Sequence, residues 1–188
     1  MSYPDFFKLC PRWSDFFYDN ETETILISIL EQVKGNHIFR CFELTPFDSI
    51  SVIFIGREPT SHCFTGLSYE VSRGHILSPE IQHIYKELEE DGYYPTKDGN
   101  LEHWAKQGVL LLNTSLTMDQ QDVWEPFILC VLKKLSTKEN LVWVVEDDFL
   151  YKNHITNSKH LVLNRKQSRL FKTINHQLYD RGIEKISW

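Results

Sequence analysis

The sequence predicts a three-layer α/β/α sandwich built on a central, mostly parallel four-stranded sheet. Short β-branched apolar runs alternate with longer amphipathic stretches, which is the pattern of strands buried on both faces by crossover helices. The chain has 188 residues, 41% of them hydrophobic and 13% aromatic, enough for one substantial core. No internal repeat, low-complexity tract or linker divides the sequence, so residues 1–188 are expected to form a single domain.

Residues 1–20 mix Phe6, Phe7, Trp13, Phe16, Phe17 and Tyr18 with Pro4 and Pro11, and are expected to pack as an irregular aromatic arm. Residues 21–33 read as the first helix, with Ile25, Ile29 and Val33 on one face and Gly35 where a helix stops. Residues 51–55 (SVIFI) form the first strand, which ends in the loop 56–59. Residues 79–90 read as a helix capped by Ser78, with Pro79 in its first turn and Ile81, Ile84, Tyr85 and Leu88 on one face. A short helical piece around 101–106 precedes the second strand, 109–112. A helix over 124–135, strands over 141–145 and 160–163, and a closing helix over 169–180 complete the pattern. In such a sheet the ligand site lies beyond the carboxyl ends of the strands, which gathers the loops 56–59, 113–117 and 146–148 around one mouth.

The formal net charge of −6 argues against holding nucleic acid by bulk electrostatics, because phosphate neutralisation needs clustered Lys and Arg. Any DNA contact is therefore expected to be local. The cysteines Cys10, Cys41, Cys63 and Cys130 are far apart and form no CxxC pair, so they suggest neither a zinc site nor a disulfide framework. Reduced thiols and an intracellular location are the expectation. Residues 1–8 lack the basic start and apolar run of a signal peptide, and no apolar stretch approaches the roughly 20 residues that span a bilayer. A soluble protein with no membrane partner, no metal and no cofactor is expected.

Four segments carry a resemblance: GREPTSHCFTGLSYEV, SPEIQHIYKEL, LEHWAKQGVLLLNTSLTM and the closing LYDRGIEKISW. In this order they resemble the signature segments of family-1 uracil-DNA glycosylases, from about Phe47 to Trp188. The third is similar almost residue for residue to that family's LxxWAxQGVLLLNxxLT. The resemblance implies a protein that takes a uracil out of the DNA stack and cleaves its bond to the sugar. It places Asn113 where the family reads the uracil edge through paired donor and acceptor, a type of contact worth roughly 1–3 kcal/mol of base discrimination. An Asn after a strand also caps turns. Tyr69 stands where the family stacks a phenylalanine on the base, and Ser78 and Pro79 match part of a loop that contacts phosphates, although Ser78 serves equally as an N-cap.

The departures bear on chemistry. The family's GQDPYH reads GREPTSH here: Arg57 replaces a glutamine that bonds the base, and Glu58 replaces the aspartate that positions water and stabilises the cationic sugar. Glu58 adds a methylene of reach in a site where a misplacement of about 1 Å costs about 10²-fold. Thr60 replaces a tyrosine that walls the pocket against thymine. The HPSPLS segment expected after the fourth strand is missing; it supplies a histidine for the uracil anion and a leucine that wedges into the duplex. Loss of one such donor costs about 10²–10³ in rate. His62, His154 and His160 are the nearest histidines, and each reads as a surface or turn residue. Glu146, Asp147 and Asp148 replace a neutral turn and add acidic charge at the mouth.

The sequence thus leaves three functions open. One is a glycosylase fold impaired in catalysis that acts by binding, its partner a protein or DNA held weakly as a single-stranded or uracil-containing strand. Another is an active uracil-DNA glycosylase with Glu58 as its carboxylate. The third is a pocket retuned by Arg57, Glu58 and Thr60 for a different base or a free nucleotide. An open pocket between Tyr69 and Asn113 speaks for base binding, and an Arg57–Glu58 ion pair across that space speaks against it.

Overall fold

Strands β1 (Val52–Gly56), β2 (Val109–Asn113), β3 (Val142–Val145) and β4 (Leu161–Asn164) form one sheet of order β2-β1-β3-β4, and every pairing is parallel. The computed structural model describes residues 10–33, 37–59, 64–118, 120–155 and 157–188. Every residue of β1, β2 and β3 is buried, whereas β4, at the edge, is mostly part-exposed. Strands apolar throughout their length are stable only when helices cover both faces. Those helices are α1 (Ser14–Phe17), α2 (Asn20–Gln32), α3 (Arg40–Leu44), α4 (Pro79–Glu90), α5 (Glu102–Lys106), α6 (Gln121–Leu135) and α7 (Leu170–Asp180). The result is the α/β/α sandwich expected from the sequence, with a sheet parallel throughout.

Two aromatic clusters organise the core. Phe54, in central β1, packs against Trp104 of α5, Phe171 of α7 and the final residue Trp188, with ring centroids 6.1–6.2 Å away. The chain end is thereby part of the core. Phe127 of α6 gathers Phe17, Phe39, Phe42 and Trp124 around it at 5.9–6.1 Å.

Several elements differ from the sequence reading. The described part of the aromatic arm is ordered: Pro11–Trp13 is a 3-10 turn, α1 follows, and Trp13, Phe16 and Phe17 are buried. Trp13 Nε1 donates to Thr45 O at 2.9 Å, which ties the arm to the body. Residues 1–9 and Gly35 lie outside the described residues. Helix α2 starts at Asn20 because Asp19 caps it, accepting from the Thr22 N–H. Helix α3 was not foreseen, since five residues are too few to display a period. Helix α6 begins three residues earlier than expected and runs through Pro126. The proline removes one helix donor, and the buried stripe Trp124, Phe127, Ile128 and Val131 keeps the turn helical despite it. No helix of the described residues is long and apolar enough to cross a membrane.

Cys10, Cys41 and Cys130 are free thiols. Burial pushes the Cys41 thiol up, which suppresses the reactive thiolate. Cys63 lies outside the described residues.

Truncating Phe54, the aromatic of the central strand, is expected to cost about 3–5 kcal/mol. Urea unfolding of Phe54→Ala followed by circular dichroism measures this, and a cost below about 1 kcal/mol would show that the cluster does not anchor the sheet.

Candidate base-binding site

The parallel register of β1 and β2 runs to their last residues, setting Gly56 opposite Asn113. A Cβ at position 56 would overlap Asn113 Oδ1 and stand 2.8 Å from Ser68 Cβ. Only glycine lets the Asn113 side chain occupy this seat. Beyond the strands the two loops are stitched together: Thr114 N–H donates to Gly56 O at 3.0 Å, and both Ser115 N–H and Thr114 Oγ1 donate to Arg57 O at 2.8 Å. Asn113 is buried in the floor they make.

Tyr69 forms the facing wall. Its φ of 65° lies in the left-handed region, costly for a residue with a Cβ, and its hydroxyl donates to Ile55 O at 2.7 Å. Burial pushes the phenol up; the nearby Arg165 charge opposes this to a smaller extent and Glu146 adds to it. The hydroxyl therefore stays protonated and remains a donor at neutral pH.

Between Tyr69 and Asn113 opens a cleft of about 670 Å³, and Arg57, Glu58, Ser78 and Pro79 also line it. Six site residues named from the sequence thus meet at one place. Thr60, the seventh, lies outside the described residues, as does His62. Glu58 is exposed at the cleft edge. Ser78 Oγ accepts from Ile81 N–H at 3.3 Å and caps α4, with Pro79 as its first residue. Glu70, Phe64 and Ile76 line the cleft as well. They lie in irregular loops, where no sequence period marks them.

Arg57 does not bridge the cleft to Glu58. Its guanidinium turns outward and forms an ion pair with Asp148, both side chains being largely exposed. A second, smaller depression of about 270 Å³ lies against the same arginine, lined by Tyr151, Phe149, Gln121 and Asp148. The acidic turn is partly neutralised: Asp148 by Arg57, Glu146 by Lys166 at 3.9 Å, while Asp147 accepts from Asn164 Nδ2. The charge expected to repel DNA is therefore smaller than the sequence alone suggests.

After β4 the chain turns at once into α7. Arg165 is buried, donates its N–H to Val145 O and pairs with Glu87 of α4. No described residue of the turn 165–169 lines the cleft. His160 stands at the amino end of β4, away from the mouth, with Trp143 Nε1 donating to its Nδ1 at 3.0 Å and its Nε2 2.8 Å from Lys138 O. His154 belongs to the 3-10 turn Lys152–His154. Neither lines the cleft.

No model of a known protein family matches the chain. It is 34% identical over 181 residues to the uracil-DNA glycosylase of Flavobacterium johnsoniae, covering 82% of each chain. It is 33% identical over 216 residues to that of Campylobacter fetus, covering 96% of this chain and 93% of the relative. The crystal structure of mimivirus uracil-DNA glycosylase superposes with a TM-score of 0.80 over 100% of this chain and 93% of that one, at 19% identity.

Replacing Asp148 by Asn removes a negative charge at the mouth and frees Arg57. Single-stranded DNA is expected to bind about 3–10-fold more tightly at 50 mM salt, and the gain is expected to shrink as salt screens the site. Fluorescence anisotropy with a labelled oligonucleotide measures both; unchanged affinity at low salt would mean that the ion pair does not oppose DNA.

Proposed function

The chain belongs to the uracil-DNA glycosylase family, and we propose that it binds an unpaired uracil of DNA in the Tyr69–Asn113 cleft and excises it slowly. The observation that carries this reading is the open cleft itself. The aromatic Tyr69 and the amide of Asn113 line one space, and among the described residues Arg57 and Glu58 form no ion pair across it.

The chemistry divides between recognition and bond cleavage. Stacking on the Tyr69 face and a bidentate contact to the Asn113 amide supply roughly 1–3 kcal/mol each. These contacts act on substrate and transition state alike, so they tighten binding without accelerating the reaction. Cleavage needs a carboxylate to orient water and to stabilise the positive sugar. Glu58 is the carboxylate at the cleft edge. It also needs a donor for the negative charge that accumulates on uracil as the bond breaks, and the turn 165–169 brings none to the cleft. The missing donor costs about 10²–10³ in rate, and the displaced carboxylate about 10²-fold more.

An unpaired strand is the substrate class we infer. Extruding a base from a duplex costs a few kcal/mol, and the cost is least where the base is already single-stranded. The net charge of −6 leaves little phosphate attraction to offset it.

The test is binding and excision of a single-stranded uracil oligonucleotide at low salt. Asn113→Ala and Tyr69→Ala are each expected to weaken binding about 5–100-fold, the equivalent of 1–3 kcal/mol. Excision is expected only at high protein concentration and is expected to vanish in Glu58→Gln. No preference for uracil over an abasic strand would remove the base-site reading, and multiple turnover within seconds would remove the impaired chemistry.

A further inference from the structure

Resting on the reading of the cleft as a base site, the geometry points to Arg40 and Glu70 as positioning residues that hold the Tyr69 platform, Glu70 within the cleft wall and Arg40 behind it. Tyr69 sits at φ 65°, and a left-handed tyrosine persists only where its neighbours over-determine it. Glu70, the next residue, provides that constraint. Its side chain is 1% exposed, and both oxygens are engaged: Oε1 accepts from the Leu101 N–H at 2.9 Å and Oε2 from Arg40 Nη1 at 2.5 Å.

Arg40 reaches in from α3 and holds the segment at both ends. The same Nη1 donates to Thr65 O at 3.1 Å, four residues before Tyr69, while Nη2 donates to Glu102 Oε2 of α5 at 3.0 Å. The segment 65–70 is thus clamped to α3 and α5. On its inner side Ser68 N–H donates to Leu111 O at 3.1 Å, and on its outer side Val71 N–H donates to Gly99 O at 3.0 Å. Tyr69 is the residue between these anchors, and its own hydroxyl is fixed on Ile55 O. A neutral side chain at position 70 could not keep both contacts at this strength, because charge-assisted bonds are about twice as strong as neutral ones.

The alternative is a buried ion pair that only supports the fold. Such a pair, once broken, leaves a buried charge unpaired and lowers stability. It would then weaken binding of any strand, with or without a base to stack. A positioning pair acts through Tyr69 and on the base alone.

The experiment compares anisotropy titrations of a single-stranded oligonucleotide carrying one uracil with the same strand carrying an abasic analogue. The affinity ratio isolates the base. Glu70→Gln and the milder Arg40→Lys are each expected to lower the ratio about tenfold, and Arg40→Lys, which lies outside the cleft lining, to leave abasic binding within twofold. In a Tyr69→Ala background the same substitutions are expected to change the ratio no further. An unchanged ratio, or an equal loss in the Tyr69→Ala background, overturns the assignment. If the unaltered protein shows a ratio of one, the base-site reading has failed, and the positioning role is decided on the ligand-free protein. Ring resonances of Tyr69 are then expected to be sharp in the unaltered protein and exchange-broadened in Glu70→Gln; identical spectra overturn the role by themselves.

Discussion

Parallel pairing of β1 and β2 continues to Gly56 opposite Asn113, and the site depends on what that last pair allows. Because position 56 has no Cβ, the Asn113 side chain folds over the end of β1. The next residues then close the gap through Arg57 O, which accepts from both Thr114 and Ser115. A buried parallel strand end exposes unsatisfied backbone groups. Stitching the two loops satisfies them and makes a rigid floor from which one amide side chain projects. Tyr69 is tied into the same construction, since its hydroxyl caps Ile55 O one residue before Gly56.

How much of this was legible in the sequence follows from how local each determinant is. The strands were legible because SVIFI and VLLL are short, apolar and bounded by turn residues. Helix α4 was legible from Ser78, Pro79 and the face Ile81, Ile84, Tyr85 and Leu88, all buried except the capping pair. The gathering of Tyr69, Ser78 and Asn113 came from resemblance, because nothing within twenty residues of Tyr69 names Asn113 as its neighbour. What stayed hidden was long-range pairing. The partner of Arg57 is Asp148, 91 residues away, and the partner of Glu70 is Arg40, 30 residues before it. A charge in a loop reads the same whether it is solvated or buried in a pair, so position 70 drew no attention although its side chain is almost wholly buried.

The electrostatics of the mouth follow from the same pairing. Glu146, Asp147 and Asp148 stand at the mouth, but Lys166 engages Glu146, Asn164 donates to Asp147 and Arg57 pairs with Asp148. The ion pairs are exposed, so each is worth little on its own. Their effect is on direction: Arg57, which lines the cleft, has its charge drawn outward to Asp148. The guanidinium of a cleft-lining arginine is thereby engaged by an acid of the turn 146–148.

Under the proposed function, recognition and cleavage are separable because different elements would carry them. Asn113 and Tyr69 hang on β1, β2 and the clamped segment 65–70, a part of the chain that is buried and heavily bonded. By the resemblance to the family, the donor for a departing uracil anion is expected from the turn after β4. There Arg165 is committed to Glu87, and α7 begins at Leu170. In the proposed reading, the short turn lacks a contact that would matter only as negative charge develops on the base, and the ground-state contacts do not depend on it. Binding energy that is equal in ground and transition states lowers the dissociation constant without raising the rate. Under the function proposed above, a chain with this platform and floor, whose last turn runs straight into a helix, would hold a base more readily than release it from its sugar.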